Sequence, residues 1–128
     1  MKHFLKAVSF SILCFIAGKT AIAQTPTIPA SNITFTNVTT SAFTVSWTPG
    51  NGTTRIVVVR LSSKSVALPS NGTNYSASSI YGNGSQLGTL SGNYVVYDNG
   101  GSSVTVTGLS SAMAYTVTIF EYNSFLTI

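Results

Sequence analysis

Asp98 and Glu121 are the only carboxylates in the chain, and they bound the acid–base chemistry it could carry. Two carboxylates flanking one sugar linkage can hydrolyse it, one as acid and the other as nucleophile or base. The single histidine, His3, and the single cysteine, Cys14, lie near the start. Without them, neither a Ser-His-Asp or Cys-His nucleophile nor a zinc site of the usual ligands can be built. Asp98 opens Asp-Asn-Gly-Gly, where a short acidic side chain stabilises a tight turn through nearby backbone. Calcium would want several oxygen ligands, usually including more than one carboxylate, and the supply here is thin. The expectation is a chain with no catalytic residue, no metal and no cofactor.

The first residues read as an export address. Lys2 and Lys6 give a positive start, Ala7 to Ala17 an apolar run, and Ala21-Ile22-Ala23 a small-residue cleavage site before Gln24. The apolar run is shorter than the roughly 20 residues that cross a bilayer as a helix, so residues 1–23 are expected to be a cleaved signal peptide and the product secreted or displayed at the cell surface. No other segment is a membrane-span candidate. Cys14 sits inside the apolar run rather than after it, which argues against lipid attachment.

Cleavage after Ala23 would remove Lys2, Lys6, Lys19, His3 and Cys14. Most of the formal charge of +4 goes with them, leaving Arg55, Arg60 and Lys64 against Asp98 and Glu121. Three dispersed basic residues are too few to bind phosphates, so nucleic acid is not expected as a partner. With no cysteine left, stability must come from one hydrophobic core without disulfides.

The elements that must position any site are strands. Gln24 to Ala30, with Pro26 and Pro29, reads as an extended leader, and ordered structure is expected from Ser31. Ile33 and Phe35, then Phe43, Val45 and Trp47, alternate with polar residues, which is the period of a strand with one buried face. Arg55 to Leu61 is apolar on both faces and reads as a central strand. Tyr94 to Tyr97, Val104 to Leu109 and Tyr115 to Tyr122 complete an all-β set rich in β-branched and aromatic residues. Between Ser62 and Asn93 the composition turns to Ser, Gly and Asn. This long excursion is expected to be held against the sheet by Tyr75, Ile80, Tyr81 and Leu87.

Leu109 precedes Tyr115 by six residues. That spacing suits a tyrosine corner, in which Leu109 plugs the core at a turn and the Tyr115 hydroxyl folds back onto the turn backbone. Trp47 and Tyr115 are expected in the core. Phe43-Thr-Val-Ser-Trp47, the Leu109–Tyr115 spacing and Tyr115-Thr-Val-Thr-Ile-Phe-Glu-Tyr-Asn123 together resemble a fibronectin type III domain, from Ser31 to the end. Asn71-Gly-Thr-Asn-Tyr-Ser-Ala, Tyr81-Gly-Asn-Gly and Asn93-Tyr-Val-Val-Tyr97 are similar to a variety found in secreted and cell-surface proteins of the Bacteroidetes.

The resemblance implies an immunoglobulin-like sandwich of two antiparallel sheets, serving as a spacer, adhesion or protein-binding module rather than a catalyst. The family's integrin-binding Arg-Gly-Asp is absent, and Ser111 and Met113 stand where the family commonly places Pro and Thr. The strands holding Arg55 and Glu121 are antiparallel neighbours in the family, and both side chains share the parity of the inner face. An Arg55–Glu121 ion pair closing one end of the core is therefore expected.

After Asn123 the family continues into a full last strand, whereas here Phe125-Leu-Thr-Ile128 is expected to leave that strand short or missing. The reading is of a C-terminally truncated domain over 31–128, the N-terminal part of a larger surface protein. The bare edge would be open to self-association. The alternative is a small carbohydrate-binding module in which Tyr75, Tyr81, Tyr94, Tyr97 and Tyr122 stack sugar rings, with a surface glycan rather than a protein as partner. Six Asn-x-Ser/Thr triplets are what a chain this rich in Asn, Ser and Thr produces by chance.

Overall fold

The alternating runs form six strands in a computed structural model that describes residues 24–123. The expected signal peptide, 1–23, and residues 124–128, on which the reading of a short or missing last strand falls, lie outside the described residues. The strands are β1 (Ser31–Thr36), β2 (Phe43–Thr48), β3 (Thr54–Leu61), β4 (Tyr94–Asn99), β5 (Ser103–Val106) and β6 (Tyr115–Tyr122). They pair, all antiparallel, into two three-stranded sheets ordered β1-β2-β5 and β4-β3-β6. Among the described residues there is no helix.

Period-two alternation places Phe43, Val45 and Trp47 of β2 in the core between the sheets, with Val57, Val59, Val96 and Val106. β3 is buried along both faces. Its Val57 and Val59 meet the other sheet, while Ile56 and Val58 join Leu87 and Val95 in a second apolar cluster beneath the excursion. Burying each of these side chains stabilises the fold by about 1.5–3 kcal/mol, so the second cluster fixes the excursion firmly.

Two strands differ in extent from the alternation. β5 ends at Val106 rather than Leu109, because Gly108 at φ +74° turns the chain toward the corner. β4 runs on to Asn99 and carries a bulge: Tyr97 faces Val57 and Val95 faces Val58, leaving Val96 unpaired between them. The extra residue turns Val96 and Tyr97 to the core side and leaves Val95 facing the excursion.

The excursion carries no strand of its own. Instead Ser78 N donates to Val95 O and Val95 N to Ser85 O, while Thr107 N donates to Ser79 O and Tyr81 N to Thr107 O. One segment thus ties β4 of one sheet to the end of β5 in the other. The leader is tied down as well. The Thr27 and Ile28 amides donate to Asn51 Oδ1, Asn51 N donates back to Ile28 O, and Asn123 Nδ2 donates to Gln24 O.

Candidate functional site

At the pole where the β2–β3 turn meets the end of β6, Arg55 and Glu121 are register partners across β3 and β6. Arg55 Nε donates to Glu121 Oε1 at 3.0 Å, and Nη2 donates to Oε2 at 3.3 Å. Both side chains are buried. Two more guanidinium contacts run to backbone, Nη1 to Gly101 O at 2.6 Å and Nη2 to Gly52 O at 3.3 Å, and Glu121 Oε1 also accepts from Gly50 N at 3.0 Å. Every charge in this cluster is therefore matched within the fold, which is what a buried pair requires to be tolerated.

The second carboxylate is likewise engaged. Asp98 Oδ1 accepts from the Tyr122 hydroxyl at 2.5 Å across the β4-β3-β6 sheet. Burial first, and then this hydrogen bond, raise the Tyr122 hydroxyl above its ordinary value near 10. Among the described residues, no group of three or more His, Cys, Asp or Glu could hold a metal ion, and no helix is long and apolar enough to cross a membrane.

At the opposite pole, Ser110 N donates to the Tyr115 hydroxyl at 3.0 Å, and Leu109 N donates to Ser41 O at 3.0 Å. Leu109 and Tyr115 pack against the core from its edge and are half-buried, whereas Trp47 is buried and meets Tyr97 edge-on at 5.4 Å. A model of the fibronectin type III domain matches residues 26–125. The chain belongs to the fibronectin type III family. Comparison with curated proteins gives no match.

Within this fibronectin type III domain the five remaining tyrosines of interest are all half-buried, and they divide between the two faces of the β4-β3-β6 sheet. Tyr81 and Tyr97 pack on the core side, and Tyr81 meets Tyr94 and Tyr115 edge-on, each at 5.1 Å. Tyr75 and Tyr122 pack on the Ile56 side. Four hydroxyls have protein partners: Ser70 N donates to Tyr75, Gly101 N to Tyr97, Tyr122 donates to Asp98, and Tyr81 has a hydrogen bond with the Leu61 backbone. Desolvation, with Tyr115 and Tyr94 beside it, raises the Tyr81 hydroxyl.

The apolar surface gathers elsewhere in the domain. At the corner pole Phe35, Val38, Phe43, Leu109, Met113 and Tyr115 line a recess of about 470 Å³. Phe35, Val38 and Met113 are exposed. The recess lies on the side of β1 and β6, each the outermost described strand of its sheet.

Asn93 is a residue that pattern reasoning missed. It is buried at the foot of the excursion, where its Oδ1 accepts from Ala67 N and its Nδ2 donates to Ser65 O and Ser91 O. Its own amide donates to Ser91 Oγ and its carbonyl accepts from Leu87 N. An Asn beside a strand reads as a turn residue, and nothing local distinguishes it from the exposed Asn71 or Asn83.

Proposed function

We propose that the chain is a non-catalytic interaction module, structural or adhesive, in an exported protein of the bacterial cell surface, forming the N-terminal part of a longer chain. The observation that carries this reading is the use of both carboxylates inside the fold. Glu121 is held by Arg55 and Gly50, and Asp98 by Tyr122, so neither is presented to a substrate. The fold adds to it: fibronectin type III domains are generally interaction modules, and exposed apolar residues here include Phe35, Val38 and Met113 at the corner pole and Val66, Leu68 and Leu90 on the excursion. Sugar stacking has less support, because the half-buried tyrosines occupy opposite faces of a sheet and meet edge-on.

Export is the part most directly tested. Residues 1–123 fused to a reporter enzyme that is active only outside the cytoplasm should give activity in a bacterial host, and the same fusion lacking residues 1–23 should give none. Equal activity from both fusions would overturn the export reading.

A further inference from the structure

The chain holds four Asn-Gly pairs, at 51–52, 71–72, 83–84 and 99–100, and all lie among the described residues. At three of them the glycine has a place in the fold. A Cβ at Gly52 would stand 2.9 Å from Tyr122 N, one at Gly84 would stand 2.0 Å from Val95 O, and Gly72 is at φ +75°. Gly100 has neither reason. Its φ lies outside the left-handed region, and a Cβ there would meet only Thr53 O, at an ordinary 3.5 Å.

The missing side chain at Gly100 leaves its amide nitrogen uncovered. Gly100 N donates to Asn99 Oδ1 at 2.7 Å, and a C=O bond is about 1.2 Å long, so the nitrogen lies within about 4 Å of Asn99 Cγ. Among the described residues this amide makes no other hydrogen bond, and Asn99 Nδ2 makes none. Both residues are exposed, so water reaches them. A nucleophile held beside an amide carbonyl whose leaving group is free is placed for ring closure. Asn51 is the contrast. Its Oδ1 accepts from the Thr27 and Ile28 amides at 3.0 and 2.9 Å, and its Nδ2 donates to Thr27 Oγ1 at 3.2 Å, so its side chain is held to the leader.

We propose that Asn99–Gly100 is a self-modification site, at which the folded chain converts Asn99 to isoaspartate and so loosens the pole that holds Arg55 and Glu121. Gly100 N gives its proton to solvent and attacks Asn99 Cγ. The N–Cγ bond forms, the Cγ–Nδ2 bond breaks, and Nδ2 takes a proton from water and leaves as ammonia, which closes a five-membered succinimide. Water then opens the ring. Entry at Cγ gives aspartate at 99, while entry at the backbone carbonyl gives isoaspartate, whose main chain runs through Cβ and Cγ and is one atom longer. Nothing is oxidised or reduced, and water is the co-reactant.

The longer link falls where the fold is sensitive to it. Asn99 is the register partner of Arg55 on β3. Beyond Gly100, Gly101 N donates to the Tyr97 hydroxyl at 2.7 Å and Gly101 O accepts from Arg55 Nη1 at 2.6 Å. An added main-chain atom before Gly100 moves Gly101 along the turn and draws its carbonyl away from the buried guanidinium, which is then left with an unmatched donor. A reaction at an exposed turn thus reaches the buried ion pair.

The test ages residues 24–128, which hold every described element, in the folded state in a warm, mildly alkaline buffer. Peptic peptides are then read by mass spectrometry with electron-transfer fragmentation, which separates isoaspartate from aspartate. Asn99 should convert on the order of tenfold faster than Asn51, mainly to isoaspartate, and the melting temperature should fall in step with conversion at 99. Gly100→Ala, which the space at that position admits, should stop conversion at 99, keep the melting temperature of the fresh chain and remove its decline on ageing. Conversion at Asn99 no faster than at Asn51 overturns the site, and that comparison needs no variant. A chain converted at 99 that melts like the fresh one overturns the link to Arg55, as does a decline on ageing that persists in Gly100→Ala.

Discussion

Arg55 and Glu121 sit opposite one another on β3 and β6, and the Oε1 atom that accepts from Arg55 Nε also accepts from the Gly50 amide. One carboxylate thereby fixes a strand pair and the β2–β3 turn. Asn51, the next residue in that turn, holds the leader.

Glu121→Ala strands the guanidinium and an amide in a buried site. Removing one partner of such a pair costs about 3–5 kcal/mol, so urea denaturation should show the midpoint falling accordingly. The double variant Arg55→Met with Glu121→Leu should recover most of the loss. A single variant as stable as the parent would remove the pair from the account of stability.

Alkaline pH should weaken the domain through its tyrosines. Tyr122 and Tyr81 both hold their protons more tightly folded than unfolded, Tyr122 through burial and then Asp98, Tyr81 through burial and its tyrosine neighbours. Their contribution is complete below about pH 10 and is lost as pH rises through the folded-state values. The melting temperature should therefore decline on the alkaline side, and Tyr122→Phe should make that decline shallower while lowering the neutral-pH value.

Gly84 has no room for a side chain. A Cβ there would stand 2.0 Å from Val95 O, so Gly84→Ala must push the excursion off β4. A loss of about 1–3 kcal/mol is expected by thermal melting. Gly72 has open space around it, and Gly72→Ala meets only the strain of its φ of +75°, so its cost should be the smaller of the two.

Asn93→Ala leaves the Ala67 amide and the Ser65 carbonyl without their partner. Each buried group left unmade costs about 1–3 kcal/mol. Hydrogen exchange should accelerate at Ala67 and Leu87 while the amides of β2 stay protected, since the first two lie in the excursion and the last in the other sheet.

The strands were legible because burial imposes a period that can be read over a few residues. Phe43, Val45 and Trp47 show it plainly, and β3 declares its central place by being apolar at Ile56 and Val58 as well as at Val57 and Val59. The excursion is legible only in part. Leu87, Tyr75 and Tyr81 pack on the sheet as expected, whereas Ile80, expected with them, is exposed, because the excursion meets Thr107 there through its backbone. The Val96 bulge is hidden as well, since Tyr94 to Tyr97 shows no break in type. Asn93 and the split of the tyrosines between two faces depend on which loop lies over which strand, and composition does not record that.

The pairing of β3 with β6 also governs when the domain can fold. Residue 54 meets residue 122, and residue 61 meets residue 115, so one side of the most apolar strand has no partner until the last described strand has emerged. A chain threaded from its N-terminus cannot close this sheet early, and topologies dominated by such distant pairings fold over milliseconds to seconds. During that interval β3 is the segment a chaperone would find, and a halted thread would remain loose enough to pass through a narrow channel.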